Sequence, residues 1–142
     1  MAERARNRHA VITWQELDEL RVIGHVGAWA RAGRLVRPAP GVYVIAGAPD
    51  SWFQQVCVAV GSSGAWASHR TAAALWRLDG FSAGRIEVLV PYGKRRRRTT
   101  WRVHETRALR GVDLDEIDGI AVTSLARTLL DVAAVSHPIR AA

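Results

Sequence analysis

The sequence predicts an α+β chain in two parts: a helix–turn–helix closed by a β-hairpin, then a small mixed α/β domain. Three observations lead there. A T-x-x-E capping signature opens an amphipathic run that is followed by a second short helical run. A Pro-Ala-Pro-Gly corner separates two strand-like runs. Beyond the break "AGAPD", helical spacing and strict alternation both recur in one continuous segment. The break, near residues 47–50, divides the chain into expected domains 1–47 and 48–142.

In "AVITWQELDEL", the Thr13 hydroxyl can accept from an early helical N–H while Glu16 reaches back to the N-cap amide. Trp14, Leu17 and Leu20 then share an inward side, with Glu16, Asp18 and Glu19 solvated. Gly24 supplies a turn. "HVGAWARAG" predicts a second helix over residues 25–32 that buries Val26, Trp29 and Ala30, with Gly33 as its C-cap. "RLVRPAPGVYVIAG" reads as a two-stranded hairpin whose tip is limited by Pro38 and Pro40. The short "AVIT" run offers a third strand. Helix, turn, helix and hairpin in this order outline a winged helix-turn-helix.

In the second part, Phe53, Val56, Cys57 and Val60 fall at i, i+3, i+4, i+7, one buried face of a helix beginning near Ser51. "SHRTAAALWRL" predicts a helix capped by Ser68, with Ala72, Leu75 and Trp76 inward. "RIEVLV" and "WRVHET" alternate as strands. The run Lys94, Arg95, Arg96, Arg97, Arg98 is expected to join them as the tip of an antiparallel basic hairpin. "IAVTSLARTLLDVAAV" reads as a strand, a Thr123/Ser124 cap and a helix.

The 142 residues are 49% apolar, enough to fold around a core of their own. The net charge of +7 favours polyanionic partners. Lys94 is the single lysine among 20 basic residues, yet exchanging Lys for Arg leaves that charge excess unchanged. Cys57, the single cysteine, excludes an internal disulfide and a cysteine-rich zinc site. The N-terminal residues Glu3, Arg4, Arg6 and Arg8 lack the apolar core of a signal peptide. No apolar run approaches the ~20 residues that span a bilayer. A cytoplasmic location, with no membrane partner, is expected.

On the second helix and the hairpin strand after it, the exposed candidates are His25, Gly27, Ala28, Arg31, Arg34 and Arg37. Gly27 and Ala28 read no base by hydrogen bonding but permit close approach to a backbone. A small structural helix-turn-helix with incidental arginines explains the same pattern equally well. Residues 94–98 are either a solvated loop or a set of phosphate contacts that adds sequence-independent affinity. Arg102 and His104 share a strand face, and Arg107 and Arg110 extend the cationic character.

Catalytic patterns are weak, and no enzyme and no cofactor are expected. Ser68 and His69 are adjacent, an arrangement that sends the two side chains apart instead of forming a triad. The five histidines show no ligand spacing, so no metal site is expected. Asp79 and Glu87 suggest a nuclease carboxylate pair, but position 89, where a lysine would follow, is Leu89. Asp113, Asp115, Glu116 and Asp118 read as a solvated acidic turn, and Cys57 as a core residue.

Taken together, "VITWQELDEL…GRLVRPAPGVYVIAG", "AWASHRTAAALWRLDGF", "IEVLVPYG" and "DGIAVTSLARTLLDVAA" resemble the AbiEi-type antitoxin family of bacteria, in particular its actinobacterial members. The likeness runs over residues 11–135. It implies an N-terminal winged helix-turn-helix with a shortened first helix, followed by an α/β antitoxin domain. It also implies a type IV toxin–antitoxin role: repression of the protein's own promoter at inverted repeats in double-stranded DNA. The family opposes a nucleotidyltransferase-like toxin without forming a tight complex with it. By position, residues 25–32 become the reading helix and residues 34–45 the wing, with Arg31, Arg34 and Arg37 on phosphates and His25 on a base edge. Residues 94–98 and Arg102 become an accessory clamp. Some relatives continue into a restriction-endonuclease-like domain, which is expected to be absent from a chain that closes on "VSHPIRAA". Two alternatives stand beside this reading: an RNA- or protein-binding module that uses the basic hairpin, and the non-catalytic remnant of such a nuclease-like protein.

Overall fold

A computed structural model describes residues 1–94 and 99–136. The architecture is mixed α+β, and the chain divides into two compact units, Met1–Gly64 and Ala65–Ala142.

The first unit comprises α1 (Ala2–Arg6), β1 (Val11–Thr13), α2 (Trp14–Glu19), α3 (Ile23–Arg31), β2 (Leu35–Ala39), β3 (Val42–Ile45) and α4 (Trp52–Ser63). Its three strands form an antiparallel sheet in the order β1-β3-β2, with Ile12 opposite Tyr43 and Leu35 opposite Ile45. Thr13 is both the last residue of β1 and the N-cap of α2. Its hydroxyl accepts from Glu16 N–H at 3.3 Å, and Glu16 Oε2 accepts from Thr13 N–H at 2.8 Å, the expected capping box. Ile12 and Leu17 are fully buried and pack with Val26, Leu35 and Tyr43. That cluster joins the sheet to both helices through apolar burial.

Several details depart from the pattern-based expectations. The turn between α2 and α3 is made by Arg21 at φ +56°, its N–H bonded to Asp18 O, so α3 begins at Ile23 and takes in Gly24. Trp14 is 46% exposed, and Ala30 is also exposed. In helices of one or two turns, a residue or two of phase error moves a position from core to solvent. Pro38 lies inside β2, where the register slips between Val36 and Ala39; a residue without an N–H cannot complete the ladder. The tip is Gly41, at φ +72°.

The unit boundary falls at Gly64/Ala65 and not at residues 47–50. The "AGAPD" break is only the turn into α4, which packs on all three strands of the first sheet. Ser51 caps α4 by accepting from Gln54 N–H at 3.1 Å, and Gly64 closes it in the left-handed conformation. Val56, Cys57 and Val60 are buried as expected, while Phe53 is 45% exposed and stacks on His9. Burial pushes the Cys57 thiol up to about 12, so it remains a neutral core group.

The second unit comprises β4 (Trp66–Ala67), α5 (His69–Leu75), β5 (Glu87–Pro91), β6 (Arg102–Thr106), a 3-10 turn (Gly111–Asp113), β7 (Leu114–Ile117), β8 (Ile120–Thr123) and α6 (Leu125–Ser136). The five strands form one sheet in the order β6-β5-β4-β8-β7, and α5 packs on α6 and on β5. β5 and β6 pair in parallel, Glu87 opposite Arg102 through Pro91 opposite Thr106. The two strands are therefore not the arms of the expected antiparallel basic hairpin. Alternation reveals the faces of a strand but not its direction, and a short link had suggested a reversal. The acidic segment is not a loop either: Asp115 and Glu116 lie on the edge strand β7, and Asp118 turns the chain at φ +49°. The Ser124 cap holds, with Arg127 N–H donating to Ser124 Oγ at 3.2 Å. No helix among the described residues is long and apolar enough to cross a membrane.

Candidate nucleic-acid interface

The two helical turns of α3 place His25, Ala28 and Arg31 at the surface, and Arg34 and Arg37 are exposed in the segment that leads into and along β2. His25 stacks on Trp29, the ring centroids 5.5 Å apart, so its orientation is tied to a half-buried core residue. Arg31 lies back along its own helix: a Cβ at Gly27 would sit 3.7 Å from its Nη1. Arg34 is anchored by its backbone, donating to Trp29 O and accepting from Ala46 N–H.

Among the described residues, Arg31, Arg34 and Arg37 have no carboxylate partner. Glu19 pairs with Arg4, and Glu16 with Arg8. Burial would raise the Glu16 carboxyl, but the Thr13 amide and hydroxyl together with Arg8 outweigh it and hold the group below its usual range. The stretch from the last turn of α3 into β2 thus carries three exposed arginines without an internal acid.

In the second unit Lys94 is exposed; Arg95, Arg96, Arg97 and Arg98 lie outside the described residues. Arg102 is exposed at the first position of β6, its N–H bonded to Ile86 O. Arg107 does not extend a strand face; its guanidinium lies 3.6 Å above the centre of the Tyr92 ring.

His104 belongs to the interior instead. Its ring stacks on His69 with centroids 3.6 Å apart, and its Nε2–H donates to Glu87 Oε1 at 3.0 Å. Glu87 is 3% exposed; its other oxygen accepts from Arg70 N–H at 3.1 Å, and its own N–H donates to Thr71 Oγ1. Burial would raise this carboxyl, but the His104 and Arg70 hydrogen bonds bring it below its ordinary value. Burial, and then the neighbouring His104 ring, push His69 down to about 4, against the pull of Asp131 and Glu87. Ser68 Oγ, which was expected to cap α5, instead meets His69 Nδ1 at 2.9 Å.

This polar cluster was not anticipated. The side chains of Ser68 and His69 meet instead of diverging, because His69 adopts φ +53° and folds back on its neighbour. Ser68 is fully buried, so the pair presents no nucleophile to a substrate. His69 and His104 are too distant in sequence for any motif. The one available signal was Glu87, a carboxylate within the otherwise apolar run "IEVLV", where burial requires a partner. Asp79 does not join it: it is exposed, in the turn after α5.

No protein-family model and no curated protein matches the chain. Among solved structures it is similar to the crystal structure of the RV2827C protein from Mycobacterium tuberculosis, at 21% sequence identity and a TM-score of 0.44. The match covers 74% of this chain and 43% of that one, so the chain spans less than half of the neighbour's length.

Proposed function

We propose that the protein is a DNA-binding regulator of the AbiEi antitoxin type, acting on duplex DNA at its own promoter and having no catalytic role of its own. The observation that carries this reading is the run of uncompensated cations Arg31, Arg34 and Arg37. Exposed arginines with no internal acid are free to exchange condensed counterions for phosphate contacts. The order α2, tight turn, α3, hairpin supports reading the first unit as a winged helix-turn-helix, with α3 in the major groove and β2–β3 as the wing. His25, fixed against Trp29, is the base-edge contact, and Ala28 allows the backbone to approach. Lys94 and Arg102 add affinity from the second unit through charge. The partner gene product on this reading is a nucleotidyltransferase-like toxin, opposed without a tight complex.

The test is an electrophoretic mobility titration on the protein's own promoter against scrambled duplex, at several salt concentrations. The Arg31→Ala/Arg34→Ala/Arg37→Ala variant should lose the promoter preference. Its log–log salt slope should be shallower by roughly 2.7, at about 0.9 per lost phosphate contact. Equal binding of wild type to both duplexes, with a slope the variant does not change, would overturn the reading.

A further inference from the structure

We infer that Tyr92 and Arg107 form a site for an unpaired nucleotide, its base stacked on the phenol ring and its phosphate held by the guanidinium. Both residues stand just beyond the carboxyl ends of neighbouring parallel strands, Tyr92 after Pro91 of β5 and Arg107 after Thr106 of β6, which face each other in the ladder. The carboxyl ends of parallel strands are where open sheets present ligand sites. Tyr92 is held by its own N–H, which donates to Thr106 O at 2.8 Å, and Gly93 turns the chain away at φ +80°. Arg107 is held through its neighbours. Arg127 donates from Nη1 to Ala108 O at 2.8 Å and from Nη2 to Thr106 Oγ1 at 3.2 Å, and Ala108 N–H donates to the same hydroxyl.

The pair is thus built on a fixed frame, yet Tyr92 remains 57% exposed with Arg107 already over one face of its ring. An aromatic side chain so open, in a chain of net charge +7, invites a flat, electron-rich partner. Arg107 has no carboxylate partner among the described residues, and stacking on a ring consumes none of its N–H donors. Lys94 adds a second exposed cation two residues from the ring. A duplex keeps its base faces within its own stack, so an open ring reaches a base face most readily where the base is unpaired. Unpaired bases are recognised by stacking on such rings, with arginine on the adjoining phosphate. The site is separate from duplex recognition by the first unit and does not depend on it.

Fluorescence anisotropy with labelled single-stranded oligo-dT, single-stranded oligo-U and a duplex of equal length tests this. Wild type should bind at least one single strand, and comparing the two distinguishes a DNA from an RNA source. Tyr92→Ala should weaken single-strand binding about tenfold or more, and Tyr92→Phe should stay within about twofold of wild type. Arg107→Lys, which keeps the charge and loses the planar fork, should cost several-fold. Duplex affinity should be unchanged by Tyr92→Ala. The Arg31→Ala/Arg34→Ala/Arg37→Ala variant should retain single-strand binding, so the site and the winged-helix reading fail independently. The inference is overturned if wild type binds neither single strand, if Tyr92→Ala leaves their binding intact, or if it lowers duplex and single-strand affinity by the same factor.

Discussion

The imidazole of His69 lies face to face with that of His104, 3.6 Å between centroids and 14° from parallel, inside the second unit. Two rings at that distance cannot both carry a proton cheaply. His104 already faces Glu87 Oε1, so His69 is the ring held neutral. Charged groups meet this pair from three sides: Glu87 on β5, Arg70 on α5, and Asp131 with Arg127 on α6.

The sign of the resulting pH dependence follows directly. His69 titrates at about 4 in the folded chain against an ordinary value of 6.5, so the unfolded chain binds the proton more readily between those limits. Stability is complete above pH 6.5 and is lost as pH falls toward 4, by up to about 3 kcal/mol. Glu87, whose carboxyl is depressed, adds to the loss at the acid end, because its contribution disappears as the carboxylate takes up a proton. Thermal melts from pH 7.5 to 4.5 should show this decline. His69→Asn, which tolerates the left-handed backbone, should flatten it. Parallel curves for the two proteins would contradict the assignment.

His104→Ala strips a nearly buried carboxylate of its ring partner. We expect a loss of about 2 kcal/mol in urea denaturation, the usual cost of deleting a hydrogen bond to a charged group. Glu87 keeps its Arg70 amide, which limits the damage. In a double-mutant cycle with Glu87→Gln, a coupling near zero would show that the contact carries no weight.

Gly61 and Gly27 should respond oppositely to the same change. A Cβ at Gly61 would lie 3.0 Å from Thr13 Cγ2 and 3.3 Å from Val42 Cγ2, where α4 rests on the sheet. Gly61→Ala should therefore cost about 1–2 kcal/mol despite the better helix propensity of alanine. Gly27 is exposed on α3 with only the Arg31 side chain near its Cβ position, at 3.7 Å, and Gly27→Ala should gain about 0.5–1 kcal/mol. Calorimetric midpoints that shift in the same direction for both would refute the packing argument.

Thr13→Ala removes the hydroxyl of the α2 cap and should lower stability by about 1 kcal/mol. Thr13→Ser, which keeps the acceptor, should recover most of it. A serine variant no better than alanine would mean that the methyl contact with α4, and not the cap, is what matters.

Local chemistry was the part of the fold legible in the sequence. The Thr13–Glu16 box, the Ser51 start of α4 and the burial of Val56, Cys57 and Val60 all depend on neighbours within one or two turns, and such spacing is written in the chain. The direction of β6 relative to β5 is not, because alternation is the same for either direction. Nor did the "AGAPD" turn mark the unit boundary: whether α4 belongs with the sheet before it depends on Gly61 fitting between Thr13 and Val42, a tertiary fact. The candidate surface on α3 was legible as exposed charge. The His69–His104–Glu87 cluster was not, since it needs the parallel pairing of β5 with β6 to bring His104 to Glu87.

The middle strand of the second sheet carries a consequence for how the chain is made. β4 is two residues long and pairs on one side with β5 and on the other with β8, Ala67 against Val122. Nothing local sustains so short a strand, and its second partner, β8, is made only after β5, β6 and β7. The first sheet, which closes between Val11 and Ile45, needs only the opening third of the chain together with α4. Synthesis from the N-terminus therefore delivers a completed first unit while the centre of the second still waits for its neighbour, an order of assembly set by contact distance along the chain.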